Sequence, residues 1–139
     1  MKQDKLFIDT GAWIALIQEK DQFHERASSF LKSLDFSVKR VSSSYVIAET
    51  YTWLRYRAGV SYANQFLGII EKSKQNGTLN IILDHNETLQ LAEQLLKDFP
   101  DQKLSYVDAV SMAIMKTEQI QKVFGFDRHF YLLKFEIVP

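Results

Sequence analysis

The apolar positions of this chain fall into short runs and helical stripes that alternate along its length. Leu6-Phe7-Ile8 is a continuous apolar run ending at Asp9, the pattern of a strand buried on both faces. Gly11 to Gln18 reads as a short helix, and Phe23, Ala27, Phe30, Leu31 and Leu34 recur at the spacing of a second. Val38 to Val41 is a short strand, after which Ser42-Ser43-Ser44 offers N-caps for a helix running to about Arg57 and ended by Gly59. Ala63, Phe66, Leu67 and Ile70 mark the next helix, closed near Asn76-Gly77. Leu79 to Leu83 is a third strand, followed by a helix carrying Leu89, Ala92, Leu96 and Phe99 and broken at Pro100-Asp101. Ser105 opens a further helix through Val107, Val110 and Ile114. Val123 to Phe126 is a fourth strand, Asp127 to Leu132 a short helix or turn, and Phe135 to Val138 a last strand. Strands separated by helices, with apolar rather than alternating strand cores, predict an α/β fold. Its three layers, α/β/α, enclose a mainly parallel sheet of about five strands.

Composition narrows the picture. The 139 residues suit one domain, 1–139, and no repeat, low-complexity stretch or linker divides them. Apolar runs are far shorter than the roughly 20 residues of a membrane-spanning helix, and the start, Met1-Lys2-Gln3-Asp4-Lys5, lacks the pattern of a secretory signal. Cysteine is absent, which removes disulfides, thiolate metal sites and thiol nucleophiles, and makes the cytoplasm the natural home. Seventeen basic and seventeen acidic residues cancel, which argues against a general nucleic-acid coat but not against a local phosphate grip.

Four acids stand out against this background. Ligands of open α/β sheets gather outside the carboxyl ends of the strands, and Asp9 and Asp127 end the first and fourth strands. Asp108 lies in the first turn of the helix after Ser105. Glu49 lies mid-helix, three residues after Val46 and four before Trp53, on a face expected to be buried, where a glutamate needs a cation or strong donors. Each acid also has a plainer role. Asp9 and Asp127 are placed to cap the helices after them, Ser105-x-x-Asp108 is a capping box, and Glu49 has Arg55 and Arg57 within reach. Together the four suit one pocket that seats a hard divalent cation, since clustered carboxylates repel without one. The three histidines, His24, His85 and His129, form no zinc spacing; His129, two residues after Asp127, has substrate contact as one reading, but a surface place suits it better.

In this order the acids and their neighbours resemble the PIN-domain ribonucleases, in particular the toxin halves of VapBC toxin–antitoxin pairs. The likeness rests on Phe7-Ile8-Asp9-Thr10-Gly11, Val46-Ile47-Ala48-Glu49-Thr50, Ser105-Tyr106-Val107-Asp108-Ala109 and Phe124-Gly125-Phe126-Asp127-Arg128-His129-Phe130. The Arg57-x-Gly59 end of one helix and Leu83-Asp84 ahead of another extend it over nearly the whole chain. Gly11 departs from it, standing where many relatives carry serine or threonine. The resemblance implies that Asp9, Glu49, Asp108 and Asp127 bind one or two Mg²⁺ or Mn²⁺ ions and are catalytic, with Thr10 and Ser105 as hydroxyls that orient them. It implies endonucleolytic hydrolysis of RNA, leaving 5′-phosphate and 3′-hydroxyl ends. It also implies a homodimer and a small antitoxin that blocks the site. Arg128, Arg55 and Arg57 are candidate RNA contacts, and Tyr51, Trp53 and Tyr106 candidate stacking residues, although Trp53 also fits a core face.

Other readings stay open. A phosphohydrolase of the haloacid dehalogenase type also begins with an aspartate after an apolar strand. It needs a second aspartate two residues on, where this chain has Gly11. A PIN nuclease of RNA processing without an antitoxin, or an inactive RNA-binding or interaction module, would share most of the same features.

Overall fold

A computed structural model describes residues 4–83 and 85–139. The chain runs β1 (Lys5–Ile8), α1 (Thr10–Ile17), α2 (His24–Ser33), β2 (Lys39–Ser43), α3 (Ser44–Arg57), α4 (Val60–Gln75), β3 (Leu79–Ile82), α5 (Asn86–Asp98), α6 (Tyr106–Thr117), β4 (Lys122–Phe124), a 3-10 segment (Arg128–Leu133) and β5 (Glu136–Val138). The five strands form one sheet in the order β3-β2-β1-β4-β5, and every pairing is parallel, so the expected mainly parallel sheet is wholly so.

β1 lies at the centre, and its apolar run follows from that place. Successive strand residues point to opposite faces, and Leu6, Phe7 and Ile8 are all buried, so helices cover both sides of the sheet. Phe7, Phe124, Phe66 and Phe130 are among the largest fully buried side chains, each contributing about 1.5–3 kcal/mol of apolar burial. From β1 the chain builds outward through β2 to β3, then returns across the sheet to place β4 on the other side of β1. The order therefore reverses between β1 and β4. Crevices for ligands open at such switch points.

Local chemistry sorts the three serines ahead of α3. Ser43 is the N-cap, its Oγ accepting from the Val46 N–H at 3.1 Å. Ser42 is a buried tie instead: its Oγ donates to the Ile8 carbonyl at 2.8 Å and faces the Trp13 indole N–H at 3.4 Å, linking β2, β1 and α1 one residue before Asp9. Gly59, at φ +116, makes the turn between α3 and α4 in a conformation side chains disfavour. β4 is shorter than its apolar run suggested. It stops at Phe124, because Gly125 packs on Asp9 and Phe126 turns aside to stack on Phe23, with ring centroids 4.3 Å apart. Asp127 therefore stands three residues beyond the strand end, not on it. Among the described residues no helix is long and apolar enough to cross a membrane. The Leu83-Asp84 segment of the resemblance falls partly outside the description, since Asp84 is not among the described residues, and Met1, Lys2 and Gln3 are not either.

Candidate metal centre

Asp9 follows β1 directly, its N–H continuing the ladder to the Phe124 carbonyl at 3.0 Å. It is the residue before α1 but makes no side-chain capping bond there, so the plain capping role does not account for it. Its side chain is buried, 5% exposed, and burial pushes the carboxyl up to about 7, with the charges of Asp108 and Glu49 adding to that push. Next to it, the hydroxyl of Thr10 is buried and makes no hydrogen bond to other described groups. Gly125 closes one side, leaving a Cβ at that position only 3.2 Å from the Asp9 Cβ.

The other acids arrive from helices and a loop. Asp108 is the third residue of α6 and closes a reciprocal capping box: its Oδ2 accepts from the Ser105 N–H at 2.9 Å while its own N–H donates to Ser105 Oγ at 3.0 Å. Asp127 caps the 3-10 segment, accepting from the His129 N–H at 3.2 Å. Glu49 is half-buried at the margin of the core face of α3, which Val46, Thr50 and Leu54 define. The expectation of a fully buried face is thus corrected, because Trp53 is itself only half-buried and the two share the rim of a cleft. Arg55 and Arg57 are engaged elsewhere. Arg55 donates to the Tyr51 hydroxyl at 2.7 Å, and the Arg57 guanidinium lies 5.5 Å from the centre of the Trp53 ring.

One cleft of about 620 Å³ takes Asp9, Glu49, Asp108 and Asp127 in its lining, together with Thr10, Gly11 and Arg128. All four acids that the sequence singled out therefore meet in a single hollow, at the switch point. Ser105 does not line it but holds Asp108 from behind the helix start. Of the three arginines, Arg128 faces the cleft; Arg57 lines an adjoining groove that shares Glu49 and Trp53; Arg55 lines neither. Tyr106 donates to Glu93 at 3.0 Å, away from the cleft lining. Phe23 and Phe126, which sequence reasoning passed over, form an aromatic wall of the same cleft, with the Arg26 guanidinium beside both rings.

His129 is the candidate whose favoured reading, a surface place, needs correction. Rather than lying on the surface, its imidazole is 9% exposed and sits between two acids, Nδ1 against Asp127 Oδ1 and Nε2 3.1 Å from Asp108 Oδ1. The Nε2 contact is at ion-pair distance without an aligned hydrogen bond. Burial alone would lower the imidazole pKa, but Asp108 and then Asp127 and Asp9 raise it above its ordinary value. Asp108 is held below the usual carboxylate range against its own burial, by His129 and the Ser105 N–H. Only the Asp-x-His spacing of Asp127 and His129 hinted at this in the sequence.

The donor set fits a hard divalent ion. Its atoms are carboxylate oxygens, Asp9 is buried among acids with the His129 imidazole as the positive group acting on it, and the orphaned Thr10 hydroxyl stands beside it as a hydrogen-bonding partner for an ion's water.

The sequence profile of the PIN domain matches residues 6–136. The chain belongs to the PIN-domain family. Its similarity to one curated PIN-domain relative extends over most of both chains: it is 30% identical over 128 residues to the 23S rRNA-specific endonuclease VapC20 of Mycobacterium tuberculosis, covering 90% of this chain and 91% of that one. The crystal structure of Mycobacterium tuberculosis VapC20, described as a sarcin-ricin loop cleaving toxin, superposes with a TM-score of 0.86 at 27% identity, over 96% of this chain and 99% of the other. VapBC2 from Rickettsia felis, solved bound to a promoter DNA fragment, matches at 14% identity with a TM-score of 0.72, covering 97% of each chain, which speaks for the PIN fold alone.

Proposed function

We propose that this PIN domain is a divalent-metal-dependent endoribonuclease, the toxin of a toxin–antitoxin pair, using Asp9, Glu49, Asp108 and Asp127 at one Mg²⁺ or Mn²⁺ centre. The observation that carries this reading is Asp9: a buried carboxylate with no capping duty, in a cleft with three further acids, is costly unless a cation is there to be held. A divalent ion, when bound, supplies charge stabilisation at the phosphate and lowers the pKa of a coordinated water.

The chain's own groups do the rest. Asp9 and Asp108 both line the cleft at the switch point, Glu49 lines its α3 side, and Thr10 offers its hydroxyl to whatever solvent the centre holds. Ser105 keeps Asp108 in one rotamer through the capping box. Arg128, exposed at the rim, is the phosphate contact, and Trp53 with the Phe23–Phe126 pair supplies apolar walls for unpaired bases. Beside the cleft, a groove of about 580 Å³ lined by Tyr45, Trp53, Tyr56 and Val107 suits the apolar face of a short antitoxin helix. Val60 and Leu67, 48% and 42% exposed and seven residues apart on α4, offer surface for a second copy in a homodimer. The VapC20 likeness makes ribosomal RNA the first substrate to try.

Incubating purified protein with 23S rRNA and with total RNA, in Mg²⁺, in Mn²⁺ and in EDTA, tests the proposal. Site-specific cleavage is expected only with metal, and not from Asp9→Asn. Cleavage that persists in EDTA, or in that variant, would overturn it.

A further inference from the structure

His129 is more than a neighbour of two acids. Its imidazole is nine-tenths buried, and Nδ1 is committed to Asp127. Nε2 is the atom left over: it has no aligned hydrogen-bond partner, yet it lies 3.1 Å from Oδ1 of Asp108, a residue that lines the metal cleft. An imidazole nitrogen this close to a carboxylate oxygen needs a positive charge between them. The poor alignment disfavours a proton shared along the line, whereas a metal ion bound off that line satisfies both atoms. The spacing itself is informative, since two ligands at right angles on an ion bound at about 2.1 Å sit roughly 3 Å apart. Ligand atoms of Asp108, Asp127 and His129 all fall within 4.8 Å of one another. The arrangement is also that of histidine metal ligands in general, which donate the far ring N–H to a carboxylate that fixes tautomer and orientation.

We propose that His129 Nε2 is a ligand of the metal centre, on the same ion as Asp108, and that Asp127 acts on that ion through the imidazole. This rests on the metal reading above and changes the ligand set from all-oxygen to oxygen and nitrogen. An imidazole nitrogen favours first-row transition ions over magnesium. The centre should accordingly select Mn²⁺ over Mg²⁺, and His129 should be the residue responsible.

The test is pulsed electron paramagnetic resonance of wild-type protein loaded with one equivalent of Mn²⁺, looking for nitrogen modulation of the manganese signal. Modulation is expected in wild type, and should change to the ¹⁵N pattern when histidine is ¹⁵N-labelled. It should survive in His24→Gln and His85→Gln and vanish in His129→Gln, which keeps an oxygen donor. In that variant the preference for Mn²⁺ over Mg²⁺, measured by calorimetric titration, should fall roughly tenfold. Mn²⁺ bound in wild type with no nitrogen modulation overturns the His129 assignment and leaves the acidic centre standing. Mn²⁺ that does not bind wild type at all overturns both. Modulation from His129 in a protein that cuts no RNA upholds this inference and removes the nuclease reading alone.

Discussion

The two sides of the cleft use aspartate in opposite ways. On the α6 side, Asp108 and Asp127 have complete structural employment: one closes a capping box, the other caps the 3-10 segment, and both touch His129. The imidazole offsets acid charge on this side, and with the Ser105 N–H it holds Asp108 below the ordinary carboxylate range. On the β1 side, Asp9 has less: burial outweighs both the Thr10 N–H and the His129 charge, which favour its ionised form. It is buried and uncapped, and pushed up to about 7. The same residue type is thus an asset to the fold on one side and a liability on the other, and the liability is where an ion is most needed. Folding accounts for the first pair of acids and leaves Asp9 over, which is why the proposed metal centre is built on it.

The largest effect expected from this contrast is on Asp9. Its folded pKa lies above the unfolded value of 3.8, so the native state holds the extra proton between about pH 4 and pH 7. Metal-free stability should therefore decline as pH rises through that window and level off above it. The Asp9 contribution is on the order of 4 kcal/mol. Asp9→Asn should flatten this decline and be the more stable protein in EDTA at pH 8, while Mg²⁺ should stabilise wild type and leave the variant nearly unmoved. Urea denaturation at several pH values, with and without Mg²⁺, measures all three. An Asp9→Asn protein less stable than wild type in EDTA at pH 8 would show that the carboxylate has a structural partner after all.

How far this was readable in the sequence depends on whether a residue's role is local. β1 was legible because Leu6-Phe7-Ile8 must be buried on both faces, and the PIN resemblance carried the four acids into one place. Capping was legible too, since Ser105 and Asp108 are three residues apart on one helix. The choice among Ser42, Ser43 and Ser44 was not: Ser43 caps within its own helix, but Ser42 is defined by Ile8 and Trp13, 34 and 29 residues away. His129 was misread for the same reason. Its short-range partner, Asp127, is two residues back, whereas the contact that buries and orients it reaches to Asp108 on another element. Phe126 looked like strand because it is apolar, and left the strand because Phe23 offered a stacking face. Long-range partners override local pattern wherever the two compete.

Gly125 sharpens the comparison at the next level of magnitude. A methyl group there meets the Asp9 Cβ at 3.2 Å, and both residues are buried, so one must move. Gly125→Ala should cost about 1–3 kcal/mol of stability, as overpacking does, and weaken Mg²⁺ binding because the displaced atom belongs to Asp9. Thermal unfolding with and without Mg²⁺ separates the two effects; an unchanged Mg²⁺-induced shift would mean that Asp9 is not at the centre. Ser105→Ala, on the balanced side, should cost about 1 kcal/mol through the lost cap. Most Mg²⁺ binding should remain, because the Ser105 N–H that holds Asp108 is backbone and survives the change.

The smallest effect belongs to Gly11, and it discriminates because Gly11 shares the Asp9 side of the cleft with Gly125. A Cβ at Gly11 comes no nearer than 4.0 Å to any neighbour, the Phe126 nitrogen, which is ordinary contact. The position lies in the first turn of α1, where a side chain also reduces the freedom of the unfolded chain. Gly11→Ser should therefore change stability by less than about 0.5 kcal/mol, and place a hydroxyl in the metal cleft without displacing Asp9. If the Asp9 side is unusual because of burial and charge alone, this variant keeps wild-type Mg²⁺ affinity to within about threefold. A loss as large as that of Gly125→Ala, read from the same denaturation and Mg²⁺ titration, would instead mean that the whole β1 side is sterically tight. The contrast between the two sides would then be one of packing rather than of unbalanced charge.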